Sequence, residues 1–260
     1  MGHNTLSRIP GHKYWRDVAG LLATSVSNQE VISASAKAAE RDMLRAANDP
    51  VFVEAVRLML AIPAAARSDD FADALRKLDL NVTANPELME LIVATTQRLD
   101  QVARAVRMRT DFGEIAARAL VSTLSTAIGD ALPGLFEASP ADVQAVARRL
   151  SWSAGISDLS RRFYGALVGE TLSYWLDRTL DTHVGPEGRF ANAADRSSFD
   201  LELDQFTFEA TRIIKEFSGG WYGKTLHTKG SISSPDAAIF GAVALKKIVE
   251  ELRLKQARHA

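Results

Sequence analysis

The sequence predicts an all-α protein, a multi-helix globular bundle of about nine to ten helices with no clear β-sheet. Two observations carry this. Four of the eight prolines follow a short polar residue and open an apolar periodic run: Asp49-Pro50, Asn85-Pro86, Ser139-Pro140 and Ser234-Pro235. The polar side chain can accept a hydrogen bond from a first-turn amide, and proline suits the next position because its missing N–H would have no partner there. The remaining apolar residues recur at helical steps of three and four, and no segment reads clearly as a strand.

Trp15 to Ser25 is a short helix candidate, and Glu30 to Ala47 an Ala-rich one with Glu40, Arg41, Asp42 and Arg45 on its polar side. Pro50 opens the next. Ser68 caps a run with Phe71, Leu75 and Leu78 on one stripe. Pro86 to Arg109 is a long candidate, and Phe112 to Ala131 follows with few breakers. Ser139-Pro140 has Asp142 three residues after the cap, a capping-box variant. Leu159 to Leu180 holds Phe163, Leu167 and Leu176.

Residues 200–209, DLELDQFTFE, imitate an alternating strand. A wider window removes the ambiguity. Phe199, Leu203, Phe206, Ala210, Ile213 and Phe217 step by four, three, four, three and four, which is one helical face. Gly219-Gly220 is then expected to stop that helix. A last helix is expected from Pro235 to Arg258, with Lys246-Glu250 and Lys247-Glu251 one turn apart on a solvated face.

Of the 19 aromatic residues, residues 16–151 contain four Phe and no Trp or Tyr, whereas 152–222 contain twelve aromatics. This divides the chain into an Ala-rich part, 1–138 with an N-terminal arm 1–14, and an aromatic-rich part, 139–260. Tyr14-Trp15 is an aromatic island; packed back onto the second part, it would make the two parts one domain. The Ala-rich part reads as a close-packed scaffold with little to offer a ligand.

Composition narrows the function classes. A net charge of -1 excludes a bulk-basic nucleic-acid coat. With no cysteine, the chain holds no disulfide or thiolate-metal framework. The longest mostly apolar stretch, near Ile115 to Phe136, carries Arg118 and Asp130, which does not suit a membrane span. The N-terminus lacks the apolar run of a signal peptide, so a cytoplasmic location is expected.

Residues 218–234, SGGWYGKTLHTKGSISS, have four Gly, two large aromatics, two Lys, a His and no acid. Read as a loop, this segment suits a phosphate, nucleotide or nucleic-acid backbone: Gly219, Gly220 and Gly223 for close approach, Lys224, Thr225, His227 and Lys229 for the anion, Trp221 and Tyr222 for stacking. Its competing reading is a structural connection whose Trp plugs the core. GGWYGKT approximates a phosphate-binding P-loop but is one residue short and follows a helix, not a strand.

Basic clusters at Arg98, Arg104, Arg107 and Arg109, at Arg148-Arg149 and Arg161-Arg162, and at Lys246, Lys247, Arg253, Lys255 and Arg258 could serve the same chemistry. Solvated faces are expected instead, with the seven acids of 181–210 as neutralising partners. No metal site is expected. The histidines, His3, His12, His183, His227 and His259, show no ligand spacing, and Asp177, Asp181 and His183 read as a polar helix end. No Ser lies in a nucleophile elbow, and no cofactor is implied. Gly165 and Gly169 lie on one helix face and suit close helix packing.

The leading expectation is an interaction or adaptor protein, favoured over an enzyme though catalysis stays open, a subunit meeting a protein partner or another copy of itself through Trp152, Tyr164, Tyr174, Trp175 and Trp221. The alternative is a nucleic-acid or nucleotide-binding protein using 218–234.

Overall fold

A computed structural model describes residues 13–106, 110–134, 138–180 and 183–259, with side chains through 256. Among the described residues there are eleven helices: α1 Lys13–Leu22, α2 Asn28–Ala46, α3 Pro50–Ala65, α4 Phe71–Arg76, α5 Leu88–Ala105, α6 Asp111–Gly129, α7 Pro140–Leu150, α8 Ser153–Leu180, α9 Ala193–Ala210, α10 Arg212–Lys229 and α11 Ser234–His259. No sheet forms among them, and the one extended pairing is an isolated bridge between Val184 and Phe190. The protein is an all-α, multi-helix bundle.

The helix starts follow local chemistry. Asp49 accepts hydrogen bonds from the Val51 and Phe52 amides at α3, with Pro50 in the first turn. Ser139 and Asp142 complete a capping box at α7. Three expected starts shift. At α4 the cap is Asp70 and not Ser68, its carboxylate accepting from the Asp73 amide at 2.8 Å. Asn85-Pro86 does not begin a helix; α5 begins at Leu88, with Glu87 as cap and no side-chain hydrogen bond. At α11, Ser233 takes the capping role: its hydroxyl accepts from the Asp236 amide, and the Asp236 carboxylate accepts from the Ser233 amide.

The expected single helix through Phe199 and Phe217 is two helices. Thr211 separates α9 from α10, and its hydroxyl donates to the Phe208 carbonyl at 2.8 Å. The next expected stop is also overturned. Gly219-Gly220 lies inside α10, which ends ten residues later at Gly230 with φ 75°. Position 230 needs glycine because a side chain is strained in that left-handed conformation.

Helices α3 and α8 form the centre. α3 packs on α5, α6, α7 and α11, while α8 packs on α6, α7, α9 and α10. Close approaches rely on glycine. A Cβ on Gly241 of α11 would stand 2.8 Å from the Phe52 ring of α3. Gly165 and Gly169 face α9, beside Phe208 and Thr207 respectively, as their spacing suggested. Thr211 lies beside Gly165, Lys215 pairs with Asp158 and Gly219 faces Ser153 and Ser157 at the start of α8, so α10 runs antiparallel to α8.

Contacts cross the division at 138/139. α11 packs on both α2 and α3. Trp15 of α1 is buried against Trp175 of α8, with ring centroids 6.2 Å apart. Buried apolar residues from Trp15 to Leu252 form one hydrophobic cluster.

Candidate functional site

The segment expected to be a Gly-rich binding loop is helix through Lys229. Helical amides are bonded along the helix axis and cannot converge on a phosphate, so the cradle expected from Gly219, Gly220 and Gly223 does not form. The physical cause is the buried face of Ile214, Ser218, Tyr222 and Thr225, which continues α10 past the glycines.

The other segment residues divide between inside and outside. Tyr222 is buried, and burial pushes its phenol well above the usual range. The Thr225 hydroxyl donates to the Trp221 carbonyl at 2.8 Å. Half-buried Trp221 packs on Phe240 with centroids 4.7 Å apart. The Lys229 ammonium is paired with Asp236, whose carboxyl it holds below the ordinary carboxylate range, aided by the Ser233 hydroxyl. Gly220, Gly223, Lys224 and His227 lie exposed on the opposite face.

The aromatic residues expected to meet a partner also separate. Tyr164 is completely buried among Phe52, Phe163 and Phe240, so it supports the fold and offers no surface. Its burial leaves the phenol pushed far up. Tyr174 and Trp175 are half-buried, with the Arg178 guanidinium 4.4 Å from both ring centres. Trp152 differs from these. It is 61% exposed at the corner between α7 and α8.

That corner is built tightly. A Cβ at Gly155 would stand 2.5 Å from the Arg149 carbonyl oxygen, so the chain turns sharply between α7 and α8, with the exposed Trp152 at the turn. The Arg67 guanidinium lies 5.0 Å from the Trp152 ring centre and 5.9 Å from that of Tyr222. Arg67 is fixed by donating from Nε to the Ser151 hydroxyl at 2.8 Å and from Nη2 to the Ser151 carbonyl. Arg148 donates to the Ala66 carbonyl at 2.7 Å and Gln144 to the Ser68 carbonyl at 2.8 Å, which caps the end of α3. Beside Trp152 an open cleft of about 600 Å³ is lined by Leu132, Pro133, Ala145, Val146 and Arg149.

Most described members of the basic clusters have intramolecular partners. Arg98 pairs with Glu54 at 2.7 Å and Asp79 at 3.2 Å. Arg161 stacks 4.1 Å from the Phe208 ring centre. Arg253 pairs with Glu40, and Lys255 with Glu209 of the acid-rich segment. Arg107, Arg109 and the Arg258 side chain lie outside the described residues, as do Asp181, His3, His12, the arm 1–12 and the His259 side chain. Asp177 pairs with Arg196 at 2.6 Å, and no group of three metal-ligating side chains occurs among the described residues.

Two features escape sequence reading. The first is a buried ion network. Glu54 accepts from Arg57 Nε and Nη2, both at 2.7 Å, and from Arg98 Nε at 2.7 Å. Burial opposes its ionisation, but the hydrogen bonds from Arg57 and Arg98 outweigh burial and hold the carboxyl below its ordinary value. The spacing of Glu54 and Arg57 is visible in sequence, whereas Arg98 arrives only by packing of α5 on α3. The second is a cavity of about 300 Å³ between α5 and α6, lined mainly by apolar atoms. It lies in the part expected to have little for a ligand.

No protein-family model, curated protein or solved structure matches the chain.

Proposed function

We propose that the protein is an interaction or adaptor protein that docks a protein partner, or a second copy of itself, on the Trp152 corner. The observation that carries this reading is the exposure of Trp152 on a guanidinium already fixed by the fold. Tryptophan and arginine are the residue types that most often anchor interfaces, because a large rigid face loses little entropy on docking. Holding Arg67 against Ser151 removes part of its ordering cost before any partner arrives. The adjacent cleft supplies apolar floor from Leu132, Pro133, Ala145 and Val146, with Arg149 and Asp142 at its edge. A complementary partner would bring an apolar anchor flanked by acid.

No described helix is long and apolar enough to cross a membrane. A cytoplasmic setting belongs to the same proposal and suits a chain without cysteine.

The test is native mass spectrometry of gently purified protein, with absorbance at 260 and 280 nm. The expected result is an assembly of this chain with a second protein chain and a protein-like absorbance ratio. Nucleic-acid absorbance in an assembly that dissociates with salt would replace this reading with the backbone-binding one. A lone monomer would overturn both.

A further inference from the structure

The cavity between α5 and α6 has a defined chemistry. Val51 of α3, Leu99 and Ala103 of α5, and Ala117 and Val121 of α6 supply its apolar walls. Ala103 and Ala117 leave unfilled the volume that larger side chains would occupy. At about 300 Å³ it is at the small end of ligand pockets, matched to a compact molecule.

Its polar lining is biased toward acceptors. Asp100 and Glu114 contribute carboxylates. The Thr96 hydroxyl donates its proton to the Ile92 carbonyl at 2.9 Å, and the Thr110 hydroxyl donates to Asp49 at 2.5 Å. Each can therefore offer a ligand only lone pairs. Among the described residues of the lining Arg118 is the one cation, and it is directed to Glu170 of α8 at 3.5 Å. Asp100 pairs with Arg104 at 3.9 Å, both side chains more than half exposed, a pairing worth at most about 1 kcal/mol. Glu114 has no ion pair among the described residues. A ligand there meets apolar walls, committed hydroxyl protons and two carboxylates, of which Asp100 is weakly paired and Glu114 has no ion pair among the described residues.

We propose that this cavity binds a small apolar molecule ending in an ammonium group. Its apolar body lies against Leu99, Ala103, Ala117 and Val121, and its cation meets Asp100 and Glu114. An ammonium carries three donors and no acceptor, the complement of this lining. The proposal does not depend on the Trp152 corner, which is built from other helices.

Isothermal titration calorimetry on the full chain tests it with three probes of similar size: 2-phenylethylamine, 2-phenylethanol and 3-phenylpropanoate. The amine is expected to bind about tenfold more tightly than the alcohol, the scale of one charge-assisted hydrogen bond, and the carboxylate is expected not to bind. Glu114→Gln should reduce that tenfold advantage, and Asp100→Asn with Glu114→Gln should remove it, both leaving alcohol binding unchanged. Ala117→Leu should fill the cavity and abolish binding of both; Val121→Phe serves the same purpose if the first variant does not fold. Absence of amine binding at millimolar concentration overturns the proposal. So does a preference for the carboxylate, or amine binding that survives a folded cavity-filling variant.

Discussion

The Ala-rich and aromatic-rich parts reverse the roles their compositions suggest. Phe163, Tyr164, Phe199, Tyr222 and Phe240 of the second part are buried and fill its interior. Trp152 and Phe208 are the substantially exposed aromatics there among the described residues. The first part holds the buried Glu54 network and the α5–α6 cavity. Small side chains allow close approach at some faces and leave a void where two alanines line the same space. Large rings consume such voids. Composition therefore indicates how much volume a region can fill, while packing decides which way each side chain points.

The largest effect expected is in the first part. Glu54→Ala leaves buried Arg57 with only the more distant charge of Asp79, and Arg98 loses its closest partner. The cost should be about 3–5 kcal/mol, read by chemical denaturation at neutral pH. The same network makes stability pH-dependent. Because the folded Glu54 carboxyl is held below its ordinary value of 4.5, its contribution is present above that value. It is lost as pH falls through the lower folded value. Glu54→Gln should flatten this part of the pH–stability curve. An unchanged curve would show that the Glu54 network does not set the pH dependence.

The next effect contrasts neighbouring glycines in the second part. A Cβ on Gly219 would stand 2.3 Å from the Ser153 hydroxyl oxygen and 2.8 Å from its carbonyl oxygen. Gly219→Ala should cost about 1–3 kcal/mol through overpacking. Gly220 and Gly223 meet open space, and alanine at either should stabilise α10 by about 0.5–1 kcal/mol. Melting temperatures of the three variants check both signs. Destabilisation by Gly220→Ala would show that the exposed face is already covered. The smallest effect belongs to Lys224→Ala, expected within about 0.5 kcal/mol of the parent.

The glycines also show where sequence reading succeeds and stops. Asp49-Pro50 and Ser139-Pro140 carry their caps within a few residues, so α3 and α7 were legible. The boundary at Thr211 was not, because no glycine or proline marks it and the apolar steps continue across it. Gly219-Gly220 reads locally as a stop, yet the contact with Ser153 and Ser157 makes glycine a packing requirement inside a helix. That contact joins positions more than sixty residues apart, beyond any local pattern. The candidate sites suffered the same limit. The exposure of Trp152 depends on the tight corner at Gly155, and the cavity on how α5 meets α6.

The central claim is that Trp152 serves a partner while the other aromatics serve the fold. It is tested most directly by measuring melting temperature and native mass for Trp152→Ala beside Trp15→Ala. Trp15 is fully buried, and its removal should cost about 3–5 kcal/mol. Trp152→Ala is expected to melt with the parent and to lose the partner chain from the native assembly. A Trp152→Ala protein that melts as low as Trp15→Ala, or that keeps its partner, would contradict it.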